Sequence, residues 1–269
     1  MGYDLSIIIV SWNTCDLLLQ CLRTLADTPG NLSVEVTVVD NGSTDGTAAA
    51  VKHAFAWAKV IRIPTNQGFA AGNNVGIKSS TGRYVMLLNS DTLVSPGALT
   101  GLVEFMERHR DVGAVGPRLL QSNGKPQPFA FGGDPTPGYL VRRGLFRLVL
   151  KRALYDWNTN QVQTVNWVSG ACLLARREAI EKTGLLDENM FMYFEDNDWC
   201  LRIRRAGWTV CYNPQVAVIH LGGQSLKQNP AARRAYYQSL DYFYAKHYGL
   251  LGRWLLGICL APYRWITKQ

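Results

Sequence analysis

Apolar residues in the first hundred positions come in short dense runs separated by longer stretches of mixed character. Runs at 5–10, 34–39, 60–63 and 84–88 are dominated by Ile, Val and Leu, and each precedes a stretch with helical spacing, at 16–26, 44–58, 69–79 and 96–108. Strands that are apolar on both faces need cover on both faces, and the intervening helices supply it. The pattern predicts an α/β chain with a mostly parallel, Rossmann-like central sheet flanked by helices. Ligands of such sheets gather beyond the carboxyl ends of the strands.

Polar residues collect at those ends. Ser11-Trp12-Asn13 follows the first run, Asp40-Asn41-Gly42-Ser43 the second, Asn66-Gln67-Gly68 the third and Asn89-Ser90-Asp91 the fourth. One Asp-Asn-Gly is a turn signal, and one Asn or Ser before a helix is a cap. Four such ends on neighbouring strands define the rim of a site.

Between 120 and 165 the periodicity fades and Pro and Gly accumulate, followed by a basic, apolar segment at 139–154. This is expected to be a long, partner-facing insertion with a short helix. A buried strand is predicted at 165–175 and a helix at 177–183, ended by Gly184. Next, Glu195-Asp196-Asn197-Asp198 places three carboxylates within four residues, ahead of a helix predicted over 198–206 that ends in Arg202, Arg204 and Arg205. Acids at the start and cations at the end complement the helix dipole, and such acids serve either as caps or as an active-site edge. Strand-like runs at 208–212 and 216–219 deliver His220 to a strand end, before a loop at 221–225 and C-terminal helices.

Charge narrows the partners. The formal net charge of +8 favours polyanions, whether nucleic acid, an anionic membrane or a phosphorylated substrate. Cations concentrate late in the chain, where they interleave with rings such as Tyr236, Tyr244, Tyr248, Trp254 and Trp265. Amphipathic rings beside cations suit a membrane interface better than a nucleic-acid groove. A peripheral contact with the cytoplasmic face of the inner membrane is therefore expected, and no nucleic acid. The apolar run at 254–262 is far shorter than the roughly 20 residues of a spanning helix, and a helix docked on the protein's own core is the competing reading. The six cysteines lack metal-ligand spacing and are expected to be reduced. No basic segment precedes the first apolar run, which reads as a buried strand of a cytoplasmic protein.

Asp40, Asp91, His220 and Asp196 form a chemical inventory. It holds one carboxylate suited to sugar or base hydroxyls and amides, a carboxylate–imidazole pair able to hold a divalent cation, and a free carboxylate as base. That set fits transfer from a nucleoside-diphosphate donor, whose leaving diphosphate calls for Mg2+ or Mn2+ and for basic residues. A dinucleotide-dependent oxidoreductase would carry G-x-G-x-x-G after the first strand, where this chain has Ser11-Trp12-Asn13-Thr14. A nucleotidyltransferase would carry a Gly-rich, basic loop there. The alternative kept is a non-catalytic sugar-nucleotide or glycan-binding pseudoenzyme.

Seven stretches, in this order and spacing, closely resemble the inverting glycosyltransferases of family 2 with the GT-A fold, and within them the rhamnosyltransferase-like branch that builds bacterial cell-surface polysaccharides. They are the strand end through Ser11-Trp12-Asn13, Val38-Val39-Asp40-Asn41-Gly42-Ser43, Asn66-Gln67-Gly68 with Asn73-Asn74, Leu87-Leu88-Asn89-Ser90-Asp91, Trp167-Val168-Ser169-Gly170-Ala171, Phe194-Glu195-Asp196-Asn197-Asp198 and His220-Leu221-Gly222-Gly223. The resemblance implies a GT-A domain at 1–225, with a nucleotide-binding half at 1–118 and an acceptor-binding half at 119–225, followed by amphipathic helices at 226–269.

Carried over by position, the resemblance implies nucleotide binding by Ser11, Asn13, Asp40, Asn66, Gly68, Asn74, Asn89 and Ser90. It implies metal binding by Asp91 and His220, acceptor contacts from Trp167, Gly170 and Glu195, and Asp196 as general base. The implied donor is dTDP-rhamnose, with a UDP- or GDP-sugar next, and the implied acceptor is a polyprenyl-diphosphate-linked saccharide. One departure is Asn89, which stands where the family usually has the first acid of Asp-x-Asp, and an amide is the weaker metal ligand. From the residues alone the choice among Glu195, Asp196 and Asp198 stays open, although the dipole at a helix start would keep Asp196 ionised and Asp198 suits the cap.

Overall fold

The computed structural model describes residues 2–26, 31–222 and 230–266. The loop positions 223–225, the first residues of the C-terminal segment and Lys268 lie outside the described residues. The first half alternates β1 (Leu5–Ser11), α1 (Cys15–Ala26), β2 (Val34–Asn41), α2 (Thr47–Ala54), β3 (Lys59–Ile63), α3 (Phe69–Lys78) and β4 (Tyr84–Asn89). Strands β3, β2, β1 and β4 lie side by side and parallel. Leu5, Ile7, Ile8 and Ile9 of β1 are fully buried because the strand is central and helices cover both faces.

Beyond β4 the sheet is mixed. After β5 (Thr92–Val94), α4 (Ala98–Arg108), β6 (Val112–Leu120), the short β7 (Phe131–Gly132), α5 (Pro137–Val149), β8 (Gln163–Thr164) and β9 (Trp167–Val168), the chain enters β10 (Cys172–Arg176). Strand β10 runs antiparallel between β4 and β6, so the halves drawn at residue 118 share one continuous sheet. The strand predicted over 165–175 is broken at Ser169-Gly170-Ala171, where the backbone leaves the ladder, and the pieces on either side are β9 and β10. The insertion at 120–165 carries β7, α5 and β8.

Helix α6 (Arg177–Thr183) ends at Gly184, whose φ of 77° needs no side chain. Helix α7 (Glu195–Arg205) begins three residues earlier than expected, and the two strand-like runs after it form one strand, β11 (Thr209–His220), with a register shift between Asn213 and Ala217. The final helix α8 (Pro230–Ile266) is interrupted at Gly249, with φ 68° and ψ −169°. Its first part packs on α7 through a second core of Met190, Phe194, Leu201, Leu240, Phe243 and Tyr244. No described helix is long and apolar enough to cross a membrane.

Candidate active site

The carboxyl ends of β1, β2, β3 and β4 are tied together by their own polar residues. Ser11 Oγ meets Thr14 Oγ1 at 2.9 Å, and Thr14 Oγ1 meets Ser90 Oγ at 2.9 Å, a hydroxyl chain joining β1 to β4. Asn13 takes φ 53° and fastens β1 to β2: its N–H donates to Ser43 Oγ (3.0 Å), and its Oδ1 accepts from the Thr44 N–H (2.8 Å). Asp40 is buried, accepts from the Ser43 N–H (2.9 Å) and lies 3.6 Å from the exposed Arg62 guanidinium. Asn41 donates to Asn66 Oδ1 (3.1 Å) and to the Gly68 carbonyl (3.0 Å), which sets the β3 end against β2.

At the β4 end, Asp91 Oδ1 lies 3.1 Å from His220 Nε2, and the Asn89 amide nitrogen lies 3.2 Å from the same ring nitrogen. The antiparallel pairing of β5 with β11 places His220 opposite Thr92 and so beside Asp91. His220 Nδ1 meets Gln127 Oε1 at 2.8 Å, an oxygen that only accepts, and Nε2 faces Asn89 and Asp91; with the proton on Nδ1, Nε2 would offer its lone pair to a cation there. A Cβ on Gly222 would collide with Asp91 Oδ2, so the backbone after His220 approaches the carboxylate as only glycine can. A carboxylate oxygen and an imidazole lone pair on one spot are donors suited to Mg2+ or Mn2+. Among the described residues no cluster of three or more His, Cys, Asp or Glu is built to enclose a metal, so a cation here would take its other ligands from bound phosphate and water.

Helix α7 starts from two successive left-handed residues, Tyr193 (φ 70°) and Phe194 (φ 68°), a conformation that costs free energy in residues with side chains and here turns the acids toward the break after β9. Asp196 Oδ2 accepts from the Gly170 N–H (2.9 Å) and Oδ1 from the Asn197 N–H (2.8 Å). At the next residue, the Ala171 carbonyl accepts from the Asn89 N–H (3.0 Å). Neighbouring residues of one segment thus hold Asp196 on one side and the end of β4 on the other. Gly170 leaves room for this, since a Cβ there would sit 3.2 Å from the Phe69 ring and 3.7 Å from Asp196 Cβ.

Burial governs the two acids more than the dipole does. It raises the pKa of Asp196 above the ordinary aspartate value against the lowering effect of the N–H groups of Gly170 and Asn197. Glu195 is 5% exposed, its Oε2 has no hydrogen-bond partner, and burial followed by the Asp196 charge raises its pKa well above the usual range.

Other positions are placed differently from expectation. Asn74 is buried with its amide committed to the 184–190 loop: Nδ2 donates to the Leu186 carbonyl (2.9 Å) and Glu188 (2.8 Å), and Oδ1 accepts from the Leu186 N–H (3.0 Å). Gly68 faces the Phe191 carbonyl, which a Cβ would strike, so it brings the acid-bearing loop against α3. Trp167 lies over Gly132, and its indole N–H donates to the Gly133 carbonyl (2.9 Å). Asp198 is no cap: α7 has no side-chain cap, and Asp198 Oδ1 accepts from Lys246 (2.6 Å) and His247 (2.7 Å) of α8 while Oδ2 accepts from Arg202 (2.8 Å). Trp199 is fully buried, as expected, with its N–H on the Gly184 carbonyl (2.9 Å).

Residues 6–183 match the model of the family described as glycosyl transferase family 2. The chain belongs to that family. It is also 30% identical to the N-acetylglucosaminyl-diphospho-decaprenol L-rhamnosyltransferase of Mycobacterium tuberculosis, over 87% of this chain and 80% of that protein. A low-salt glycan biosynthesis hexosyltransferase of Haloferax volcanii, Agl10, is 26% identical over 81% of this chain and 67% of its own. Among solved structures, a mannosyltransferase from Pyrobaculum calidifontis in complex with GDP-Man and Mn2+ superposes with a TM-score of 0.63 at 20% identity, covering 91% of this chain and 64% of that one. GalNAc-T7 with UDP, GalNAc and Mn2+ gives 0.63 at 16%, covering 91% and 50%. These are glycosyltransferases, and the family 2 chain shares their fold.

Three members of the site escaped the sequence: Thr14, Arg62 and Gln127. Thr14 directly follows Ser11-Trp12-Asn13 and could have been taken with them. Arg62 sits on a strand whose other signal is apolar, and Gln127 lies in the insertion, so only the fold brings them to Asp40 and His220.

Proposed function

We propose that this family 2 chain is an inverting glycosyltransferase that moves a sugar, read as L-rhamnose from dTDP-rhamnose, onto a polyprenyl-diphosphate-linked saccharide at the cytoplasmic face of the membrane, in cell-surface polysaccharide biosynthesis. The observation that carries this reading is Asp196 held by the Gly170 N–H next to Ala171, whose carbonyl holds the strand end that bears Asn89 and Asp91. The similarity to a rhamnosyltransferase named for a diphospho-decaprenol-linked acceptor supports the choice of sugar and of carrier.

In this reading the rim formed by Ser11, Asn13, Asp40, Asn66, Asn89 and Ser90 receives the nucleotide, with Arg62 beside it as a further cation. Trp167 and Glu195 border the acceptor; with its side-chain amide turned so that oxygen and nitrogen exchange places, Asn197 donates to Asp196 Oδ1 (3.1 Å) and accepts from Trp167 Nε1 (3.0 Å), which links Trp167 to the base. Asp196 takes the proton of the acceptor hydroxyl as that oxygen bonds to the anomeric carbon. The bond from the anomeric carbon to the phosphate oxygen breaks on the opposite face, and the nucleoside diphosphate departs with the electron pair, so configuration inverts in one displacement. A carboxylate whose pKa is raised toward neutrality is a better-matched proton acceptor than an ordinary aspartate. Mg2+ or Mn2+ on Asp91 and His220 would supply positive charge to the diphosphate.

Purified protein with dTDP-rhamnose, Mn2+ and a lipid-linked saccharide tests the reading. Asp196→Asn is expected to lower transfer by at least about 100-fold while donor affinity stays unchanged. Transfer retained in Asp196→Asn would remove the base assignment.

A further inference from the structure

Helices α5 and α8 pack against each other, with Leu140 joining the cluster around Phe243, Tyr244 and Leu256. With those side chains turned inward, each helix still presents an apolar stripe to solvent. On α5, Val141, Leu145 and Val149 recur every fourth residue and are 52%, 55% and 70% exposed. Beyond the Gly249 break, Leu250, Trp254 and Ile258 recur at the same spacing and are 80%, 63% and 50% exposed. A four-residue recurrence keeps each set on one face of its helix. The first part of α8 is thus committed to the core, and the second part sends Leu256 and Leu260 to that core while leaving Leu250, Trp254 and Ile258 outside it.

The charge around these stripes identifies what covers them. Neither 135–155 nor 242–269 contains a single Asp or Glu. Arg142, Lys151 and Arg152 are exposed beside the α5 stripe, and Arg143 stacks on the Phe129 ring at 4.8 Å. A second copy of the chain meeting this face would set cations against cations, whereas a layer of anionic headgroups neutralises them while the apolar side chains enter the acyl boundary. Trp254 has the ring chemistry favoured at headgroup depth. We infer that α5 and the part of α8 beyond Gly249 form one docking surface for an anionic lipid bilayer.

The surface adjoins the acceptor side of the site. Helix α5 follows Gly133 and Asp134, on which Trp167 and Arg204 rest at 2.9 and 2.6 Å. A bilayer bound there would present a lipid-linked saccharide beside Trp167; this part of the inference rests on the proposed function, whereas the lipid surface itself does not.

Co-sedimentation of the full chain with vesicles of phosphatidylcholine, alone or mixed with phosphatidylglycerol, tests it. Binding is expected to the mixed vesicles and to weaken at least about tenfold as salt screens the charges. Leu145→Glu with Trp254→Glu, and separately Arg142→Ser with Arg152→Ser, are each expected to weaken it at least about tenfold, with unchanged circular dichroism and unchanged dTDP-rhamnose binding. Equal binding of wild type and variants, no binding to either vesicle, or a solution dimer dissolved by Trp254→Glu overturns the inference. Vesicle binding without any transfer from dTDP-rhamnose tells against the proposed function alone, and transfer without vesicle binding tells against the surface alone.

Discussion

Asp196 and Asp198 stand two positions apart and have different employment. Successive residues of an α-helix turn by about 100°, so two positions separate side chains by about 200°; one carboxylate reaches Gly170 while the other points into α8. Glu195, adjacent to Asp196, is the buried acid without a partner on Oε2. Ionising both would place like charges side by side in a buried pocket, and burial with the Asp196 charge raises Glu195 well above its ordinary value, so Glu195 is the acid expected to keep its proton when Asp196 loses its own. As the proposed base, Asp196 would act only when deprotonated, so activity is expected to rise with pH through an apparent pKa above the ordinary aspartate value of 3.8. Glu195→Gln, which preserves a neutral side chain of the same size, is expected to leave that acid limb within about half a pH unit. A limb that drops by a unit or more in the pH–rate profile of Glu195→Gln would mean that Glu195 is charged in the working enzyme.

At the scale of elements, the helix that carries the proposed base is held from behind. Asp198 has no exposed side chain and collects Arg202 from its own helix and Lys246 and His247 from α8, while Lys246 also reaches Asp187 at 2.8 Å. Hydrogen bonds from His247, Lys246 and Arg202, with the Arg202 charge, hold the Asp198 carboxyl well below its ordinary value despite burial. A depressed pKa in the folded state contributes stability that is present above the unfolded value of 3.8 and is lost as pH falls below it toward the folded value. Asp198→Asn leaves its cations without their shared anion and is expected to cost about 3 kcal/mol, read by urea denaturation at neutral pH. The same variant should flatten the fall of stability below pH 3.8. Strand and helix positions near this clamp were legible because burial on both faces writes apolar runs into the chain. The break at Ser169–Ala171 was not, since Ser-Gly-Ala inside an apolar run carries no period of its own, and the Gly170 N–H is turned to Asp196, a partner distant in sequence.

For the molecule as a whole, the sheet brings together residues that the chain keeps far apart. Gln127, from the insertion, meets His220 at the end of β11, and His220 meets Asp91 at the end of β4. Donor and cation bound to the folded state alone are expected to raise its stability by about 2.7 kcal/mol at a hundredfold excess over Kd, seen as a Tm shift with dTDP-rhamnose and Mn2+ that a chelator removes. Gln127→Leu frees the His220 ring and is expected to move the Mn2+ titration of that shift to concentrations about 10- to 100-fold higher; an unmoved titration would deny Gln127 its orienting part. The sequence by itself determined the alternation of strands and helices, the polar strand ends and the acid cluster, because these depend on burial and spacing along the chain. Only the tertiary structure decided which acid faces the strand ends, that Asn74 serves a loop, that Gln127 meets the ring of His220, and that α8 beyond Gly249 turns Leu256 to the second core. Each of these is a contact between segments distant in sequence, and no local pattern records which distant partner a side chain will meet.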